Sequence, residues 1–326
     1  DAHLYEKESS PGGLIRCKNV NGHLYHMLGG HVFNSKNRKV KEWVKNEIPN
    51  YDEALLKLER KADIRFDFGY VDYPIENSLN QLPRDIGKQA LREILHNFSD
   101  PLKTQSFGSF LKANFGETLY RTYFEPYNRK IWGENLEGIP LEWLEGKLPM
   151  PSKEAILIAN VFGEKEDAMV HSNFFYPKES GSQFWIEQLA VDEAIFCNHP
   201  VVSITQTECG RWRINESNIE YSDVVYTGDI TKLQDFFERG NVRIFTDPEL
   251  RKLRARGISN ALCEIPKRQT TWTYIPESDL RTNRIINTGL FSPMNTPYGS
   301  HSAVLEFPFK TNQSEIPLSR GAYYRD

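Results

Sequence analysis

Two glycines stand directly before a histidine in the segment Gly29-Gly-His-Val-Phe33. A backbone without side chains at two successive positions can pack against a flat ring, and the imidazole of His31 would then present its edge to that ring. The alternative is a structural histidine, which is the commoner role of a single histidine. His23 and His26 lie nearby in the sequence, but their spacing lacks the thiol or acidic partners of a zinc site. The segment is therefore a candidate for contact with a planar ligand.

An acidic residue ends the first predicted strand. Glu6 and Lys7 come at this strand end, and Gly12 and Gly13 follow soon after. In a dinucleotide-binding βαβ unit, a carboxylate about 20 residues past the glycine-rich loop accepts hydrogen bonds from the adenosine ribose. An ordinary exposed glutamate before a Gly-Gly turn explains the pattern equally well. Because the sequence holds no G-x-G-x-x-G, we expect the first strand and its glycine loop to precede Asp1, by roughly 30 residues.

The segment Glu125-Pro-Tyr-Asn-Arg-Lys-Ile-Trp-Gly133 combines cations with flat aromatic side chains. Tyr127 and Trp132, with the two basic residues between them, suit a nucleotide base and its phosphates. The alternative is a helix end capped by Gly133, where basic side chains interact with the helix dipole. The two interpretations are compatible.

A basic run occupies Arg251-Lys-Leu-Arg-Ala-Arg256. A solvated charged loop is the commoner explanation of such a run. The alternative is that Arg254 or Arg256 binds a diphosphate, because a guanidinium pairs with phosphate in bidentate fashion.

The overall composition limits the function classes. The 326 residues include 40 lysines and arginines against 44 aspartates and glutamates, a formal charge of −4, which excludes a strongly basic nucleic-acid-binding protein. Four widely separated cysteines favour free thiols in a reducing compartment. The sequence contains no run of about 18 apolar residues that would indicate a membrane span, and no G-x-S-x-G, H-E-x-x-H or P-loop motif. We therefore expect a cytoplasmic protein that acts on a small molecule.

Periodicity predicts the elements that must position these residues. Apolar side chains on one helical face predict a helix over 34–48, and alternation around Gly69 predicts a hairpin over 65–73. From about residue 84 to 148 the pattern is helical, and its aromatic side chains are expected to be core. A helix is also predicted over 183–190.

Strands are predicted before and after this helical region. The expected strand regions are 1–7 and 14–33, as remnants of a βαβ unit, then 212–214 with 221–226 as a hairpin, 270–274 and 283–290. Strands, then helices, then strands again indicate a discontinuous α/β fold with an inserted helical subdomain.

Several segments, in this order, resemble the FAD-dependent flavoproteins that include amine oxidases, protoporphyrinogen oxidases and UDP-galactopyranose mutases. They are 6–13, 29–33, 73–74, 126–133 and 272–276. The likeness to the mutases is strongest, because Gly29-Gly-His31 is similar to their loop beside the isoalloxazine. Phe175-Tyr-Pro177 and Ser292-Pro-Met-Asn295 resemble two further mutase segments, and Arg256 falls near a mutase arginine that holds the substrate diphosphate.

The resemblance implies an α/β fold with three parts. These are a Rossmann-like FAD-binding domain over 1–50, 179–235 and 305–326, a helical insertion over 84–150, and an antiparallel-sheet substrate domain over 51–83, 151–178 and 236–304. It implies FAD as the cofactor, with His31 beside the ring as the catalytic residue, and binding by Glu6, Lys7, Gly12, Gly13, Gly29, Gly30 and His31. It implies a nucleotide sugar as the substrate, bound by Tyr127, Trp132, Tyr176, Arg254, Arg256 and Tyr274.

The implied activity is interconversion of UDP-galactopyranose and UDP-galactofuranose in cell-surface polysaccharide biosynthesis, with N5 of the reduced flavin as the nucleophile. One alternative is hydride transfer to FAD, as in amine and protoporphyrinogen oxidases; another is a non-catalytic relative that binds nucleotide sugars. Two departures bear on the substrate. The family's closing Gly-Arg segment has only a displaced remnant at Arg320–Tyr324, and Lys147-Leu-Pro-Met-Pro151 replaces an Arg-x-Pro-x-Arg segment, so one expected phosphate-binding arginine is missing. Whether the chain forms a homodimer stays open.

Overall fold

The computed structural model describes residues 2–96, 104, 106–133, 135–141, 151–163, 172–191, 194–239, 253 and 256–310. The strands are β1 His3–Tyr5, β2 Cys17–Val20, β3 His23–His26, β4 Leu55–Glu59, β5 Ala62–Phe66, β6 Gly69–Asp72, β7 Asn173–Pro177, β8 Ala194–Phe196, β9 Ile204–Gln206, β10 Trp212–Ile214, β11 Arg256–Glu264, β12 Trp272–Tyr274, β13 Arg284–Ile286 and β14 Ser302–Lys310. The α-helices are α1 Arg38–Glu47, α2 Tyr51–Ala54, α3 Arg84–His96, α4 Phe107–Leu119, α5 Glu125–Trp132, α6 Lys153–Phe162, α7 Gln183–Leu189 and α8 Leu233–Arg239, and a π-helical turn, Tyr120–Phe124, joins α4 to α5.

The chain forms two compact units. The first comprises 1–13 and 186–255, and the second comprises 14–185 and 256–326. The three-part domain division expected from the sequence has other boundaries and stays a prediction. The mixed α/β class is confirmed.

In the first unit, β1 runs parallel to β8, so that Leu4 lies opposite Ile195. A parallel pair requires a long crossover connection, as in a βαβ unit. The sequence predicted a hairpin of 212–214 with 221–226, and this pairing is wrong. Strand β10 pairs antiparallel with β9 instead, and the 221–226 segment contributes only a single bridge, from Tyr221 to Trp212. A tight turn explains this choice, because Gly210, at a φ of +77°, lets the chain reverse directly from β9 into β10, with Ile204 and Ile214 buried in one apolar cluster with α8.

The second unit is built on a mixed six-stranded sheet. Its strand order is β11-β14-β13-β12-β5-β6, with β12 and β5 parallel and the other neighbours antiparallel. Gly69, at a φ of +136°, opens β6 directly after the turn from β5, which confirms the hairpin predicted over 65–73. Because β14 pairs with both β11 and β13, its residues lie at the centre of one half of the sheet.

The helices α3 to α6 pack with β5 and β6 around the largest apolar core. Ser106 caps α4 in a reciprocal capping box with Ser109, and Ser152 caps α6 through the Ala155 amide. The aromatic stripe predicted to be core is core: Phe107, Phe115, Tyr123 and Tyr127 are all buried in this cluster. Gly133, at a φ of +101°, ends α5 as expected of a helix cap.

The sequence predicted residues 14–33 to be part of a βαβ unit, and this prediction is wrong. They fold into the antiparallel hairpin β2–β3, because Asn21 and Gly22 both adopt positive φ and so provide a tight turn. The helix predicted over 34–48 is α1, capped by Asn37, with Val44 and then Ile48 buried. The helix predicted over 183–190 is α7. Within the described part of the chain, none of the helices combines the length and the apolar character needed to cross a membrane.

Candidate functional site

The Gly-Gly-His segment follows β3, and β11 holds the start of this loop. Asn260 on β11 donates from Nδ2 to the Met27 carbonyl oxygen at 2.9 Å, and the Tyr25 hydroxyl on β3 donates to the Asn260 carbonyl oxygen at 2.8 Å. Hydrogen bonds to buried backbone carbonyls are costly to break. The loop therefore leaves β3 in a fixed position on the sheet.

Each glycine of the loop occupies a place where a side chain would collide with the sheet. Gly29 has a φ of +102°, and a Cβ there would lie 2.6 Å from Glu306 Oε1. A Cβ on Gly30 would lie 2.7 Å from Ile286 Cγ2 and 3.2 Å from the Phe291 ring. The sequence suggested that the glycines admit a planar ligand; the structure shows that the packing beneath them already requires glycine at both positions.

His31 has a buried nitrogen, Nε2, without a hydrogen-bond partner among the described residues. Burial lowers the pKa of His31 below its usual value, although backbone hydrogen bonds at Leu28 and Leu14 and the charge of Glu306 act in the opposite direction. The imidazole is therefore largely neutral at pH 7. A buried polar atom without a partner is unusual in a folded protein, and a bound ligand is one way to satisfy it.

An ion pair lies beneath the loop. Arg284 on β13 and Glu306 on β14 face each other in register, and Arg284 Nη2 and Nε lie 2.6 and 2.7 Å from Glu306 Oε2. The Glu306 side chain is 1% exposed and that of Arg284 is 31% exposed. Burial acts to lower the pKa of Arg284, but the Glu306 carboxylate raises it above its usual value. The Arg284 guanidinium therefore stays charged.

Four tyrosines, Tyr73, Tyr123, Tyr127 and Tyr274, form what we call the tyrosine cluster. Ring centroids lie 4.7 Å apart for Tyr73 and Tyr274, 5.4 Å for Tyr127 and Tyr274, and 5.5 Å for Tyr123 and Tyr127. Burial raises the pKa of Tyr73, Tyr123 and Tyr127, so these phenols are neutral hydrogen-bonding groups at pH 7.

Arg60 brings a cation to the tyrosine cluster. Its guanidinium carbon lies 5.3 Å from the centroid of the Tyr73 ring and 5.8 Å from that of Tyr274, and it donates to the Tyr274 hydroxyl. Arg284 and Glu306 act electrostatically on Tyr127. The cluster thus combines aromatic faces, phenol groups and cationic side chains, a set that suits a polar ligand with anionic groups.

Tyr176, predicted to bind the sugar, is fully buried in a separate polar network. Its hydroxyl lies 2.7 Å from His26 Nε2 and accepts a hydrogen bond from Asn295 Nδ2 at 2.9 Å. His26 Nδ1 lies 3.4 Å from Cys17 Sγ. Burial lowers the pKa of His26 to about 3, with a further contribution from His31. Because Tyr176 and His26 are both 0% exposed, contact between Tyr176 and a substrate stays a prediction.

Of the other predicted substrate residues, Tyr127 and Tyr274 contact each other in the tyrosine cluster. Trp132 ends α5 and is 36% exposed. Arg256 begins β11, and its Nε donates to the Ile131 carbonyl oxygen at 2.9 Å, so its side chain caps α5. Arg254, the segment 142–150 and residues 311–326 lie outside the described residues. The phosphate-binding roles of Arg254 and Arg256 stay predictions.

The remaining predicted cofactor residues belong to the first unit. Glu6 directly follows β1, as expected, and its Oε1 accepts a hydrogen bond from the Glu8 amide at 2.8 Å. Lys7 is exposed and lies 3.7 Å from a Glu8 carboxylate oxygen. Gly12 and Gly13 have φ values of +125° and +51°, which a residue with a side chain rarely adopts.

Sequence reasoning missed Arg60, Asn260, Arg284 and Glu306. A signal was present for one of them, because Glu306 interrupts the apolar run of β14 from Ala303 to Phe309, and a carboxylate at such a position needs a partner. The sequence does not identify the partner of Glu306, because that partner is set by which strand lies beside β14.

Comparison with known proteins places these features in a known fold. No protein-family model and no curated protein matches the sequence. Among solved structures, reduced UDP-galactopyranose mutase aligns over 95% of this chain and 69% of its own, with a TM-score of 0.79 and 20% identity. The chain has the fold of UDP-galactopyranose mutase.

Two further solved structures share this mutase fold. A protein assigned as a protoporphyrinogen oxidase from Exiguobacterium sp. 255-15 has a TM-score of 0.68 at 14% identity, over 94% of this chain and 71% of its own. An oxidoreductase from Methanosarcina mazei has a TM-score of 0.57 at 13% identity, over 94% of this chain and 72% of its own. The structural side of the resemblance to mutases and protoporphyrinogen oxidases is therefore confirmed.

Proposed function

We propose that the protein is a flavin-dependent enzyme of the nucleotide-sugar mutase type, with FAD as its cofactor and UDP-galactopyranose as the substrate class to test first. The observation that carries the proposal is the buried Nε2 of His31, which has no hydrogen-bond partner among the described residues and lies on a Gly-Gly-His loop within the fold of reduced UDP-galactopyranose mutase. A neutral imidazole of this kind can exchange a hydrogen bond with the polar edge of a flavin.

The residues that would hold the cofactor have the required chemistry. In the first unit taken by itself, Glu6 at a strand end has a carboxylate of the kind that accepts hydrogen bonds from a ribose, and Gly12 and Gly13 have φ values that favour glycine. His31 would bond to the ring system. When bound, a reduced flavin supplies a nucleophile and a store of electrons.

The tyrosine cluster and Arg60 would bind the substrate. Neutral phenols can hydrogen-bond to sugar hydroxyls and phosphate oxygens. The rings of Tyr123, Tyr127 and Tyr274 are already packed against one another and are 9% exposed or less, so the hydroxyl groups rather than the ring faces are the proposed contacts. Arg60 joins Arg256 as a candidate for the diphosphate. Arg284 is the weaker candidate, because the Glu306 carboxylate already neutralises it.

The first test is the visible absorption spectrum of the purified protein, before and after denaturation. Release of FAD supports the cofactor assignment. UDP-galactopyranose is then supplied under anaerobic, reducing conditions, and formation of UDP-galactofuranose without net oxidation supports mutase activity. A colourless protein that binds no added FAD but binds UDP-galactose would instead identify a non-catalytic nucleotide-sugar-binding protein.

The second candidate is an oxidoreductase, favoured by the likeness to the protoporphyrinogen oxidase and to the Methanosarcina mazei oxidoreductase. The discriminating measurement is oxygen consumption. An oxidase consumes oxygen in step with its substrate and forms peroxide, whereas a mutase loses activity when its flavin is oxidised. Oxygen uptake with protoporphyrinogen or an amine, together with inertness toward UDP-galactopyranose, would replace the mutase proposal.

A further inference from the structure

Lys130 connects α5 to both ends of the segment between β12 and β13. Its Nζ donates to the Ile275 carbonyl oxygen at 2.8 Å and to the Thr282 carbonyl oxygen at 3.0 Å. Ile275 directly follows β12, and Thr282 lies two residues before β13. The Ile275 amide donates to the Asn283 carbonyl oxygen at 2.9 Å, so Lys130 binds where the two strands are still paired.

Each contact point of Lys130 is adjacent to a residue of the site. Tyr127 precedes Lys130 by one helical turn, so the two side chains leave neighbouring positions on α5. Tyr274 is the residue before Ile275, and Arg284 is two residues after Thr282. Tyr274 and Arg284 are register partners on the paired strands β12 and β13, so the Lys130 ammonium group adds the link from this pair to Tyr127 on α5.

The surroundings of Lys130 indicate that this arrangement has a cost. Burial lowers the pKa of Lys130 to about 8, although Glu277 and Asp279 favour the charged form; Arg65 disfavours it. Glu277 is itself paired with Arg65 at 2.8 Å, so it does not neutralise Lys130 alone. A methionine or leucine would fill the same place without this cost but has no N–H donor, whereas the lysine ammonium has three donors and can hold two carbonyl oxygens together.

Arg121, in the same helical region, makes a different kind of contact. Arg121 lies in the π-helical turn, is 73% exposed and pairs with Glu117 one turn away. A surface pair of this type contributes little to stability. Arg121 therefore provides a matched control for the loss of one positive charge.

We propose that Lys130 is a positioning residue, which holds Tyr127 against the Tyr274–Arg284 strand pair by fixing α5 to both ends of the β12–β13 connection. Its importance for substrate binding rests on the proposed function. Its effect on the contact between α5 and the β12–β13 connection does not depend on that function, so the structural effect and the effect on binding can be measured separately.

The geometry is tested by amide hydrogen exchange in Lys130→Met, Lys130→Arg and Arg121→Met, with mass spectrometry of peptides covering 272–286 and 123–132. We expect faster exchange at 275–283 in Lys130→Met, substantial restoration in Lys130→Arg because the guanidinium retains several donors, and no change in Arg121→Met. If exchange at 275–283 is the same in Lys130→Met as in the parent protein, the positioning role is overturned.

The effect on the site is tested with UDP as the probe, by calorimetry on the same variants. We expect UDP binding about tenfold weaker in Lys130→Met, because small misplacements of binding groups are costly, and near-parental binding in Lys130→Arg and Arg121→Met. If exchange at 275–283 rises while UDP affinity is unchanged, Lys130 does not position the site. If the parent protein binds no UDP, the proposed ligand fails, and the exchange comparison alone decides whether Lys130 positions these elements.

Discussion

The carboxylate of Glu306 occupies the position that a side chain on Gly29 would need. A Cβ on Gly29 would lie 2.6 Å from Glu306 Oε1, and the other carboxylate oxygen is held by Arg284. The carboxylate cannot simply rotate away, because movement would break two short hydrogen bonds to a guanidinium. Gly29 also has a φ of +102°. Gly29→Ala should therefore lower the free energy of unfolding by about 2–4 kcal/mol, through strain and collision together.

Gly69→Ala separates these two causes. Gly69 has a φ of +136°, but apart from its two chain neighbours none of the described residues has an atom within 4 Å of its Cβ position. The substitution there introduces backbone strain alone. Urea unfolding of both variants should show Gly29→Ala to be the less stable by about 1–3 kcal/mol, the usual cost of overpacking. Equal losses would mean that Glu306 yields to the new methyl group.

The Arg284–Glu306 pair should respond asymmetrically to substitution. Arg284→Met leaves a carboxylate that is 1% exposed without its cation, and such uncompensated burial costs about 3–5 kcal/mol. Glu306→Gln leaves a guanidinium that is 31% exposed and retains contact with water, so we expect a smaller loss, of about 1–2 kcal/mol.

A double-mutant cycle with Arg284→Met and Glu306→Gln, measured by chemical denaturation, gives the coupling energy. The double variant should be more stable than the sum of the single losses predicts. Additive losses, or a larger loss for Glu306→Gln than for Arg284→Met, would contradict the burial order of the two groups.

Local patterns predicted most elements of the second unit. Helix α1, the β5–β6 hairpin and the buried stripe of α4 and α5 follow from spacing within single segments, where side chains three or four apart share a face. The failure at 221–226 has a different cause. That segment alternates well enough for a strand, but β10 pairs with β9 instead, and a choice between two partners is not visible in the pattern of one segment.

The candidate site was predictable only in part for the same reason. The Gly-Gly-His loop and Tyr127 stand out in the sequence by residue type. Arg284 and Glu306, by contrast, meet across two strands 22 residues apart, and Arg60 reaches Tyr274 across 214 residues. Such pairs depend on strand register, which sequence periodicity does not specify between distant strands.

His26 should make the protein sensitive to acid. Its pKa is about 3 in the folded protein against 6.5 in the unfolded chain. Between these values the unfolded chain binds more protons, so stability falls as the pH falls, by at most about 1.4 kcal/mol per pH unit. Urea unfolding between pH 4.5 and 7 should show a shallower pH dependence for His26→Gln, with His96→Gln at the exposed end of α3 as the control. An unchanged slope in His26→Gln would contradict burial of a neutral imidazole.

Lys130 should make the stability of the protein depend on pH in the alkaline range. Its pKa is about 8 in the folded protein against 10.5 in the unfolded chain, so between these values the unfolded chain again binds more protons. The stability contribution of Lys130 therefore rises with pH through this window, whereas below pH 8 the full cost of burying the charge is present. Part of the side chain is solvated, which limits the change to about 1 kcal/mol. We therefore expect the free energy of unfolding of the parent protein, minus that of Lys130→Met, to increase from pH 7 to 9.5. Taking this difference removes the contribution of the buried tyrosines, which titrate at higher pH and are present in both proteins. A difference that stays flat would show that the ammonium is not desolvated between α5 and the β12–β13 connection.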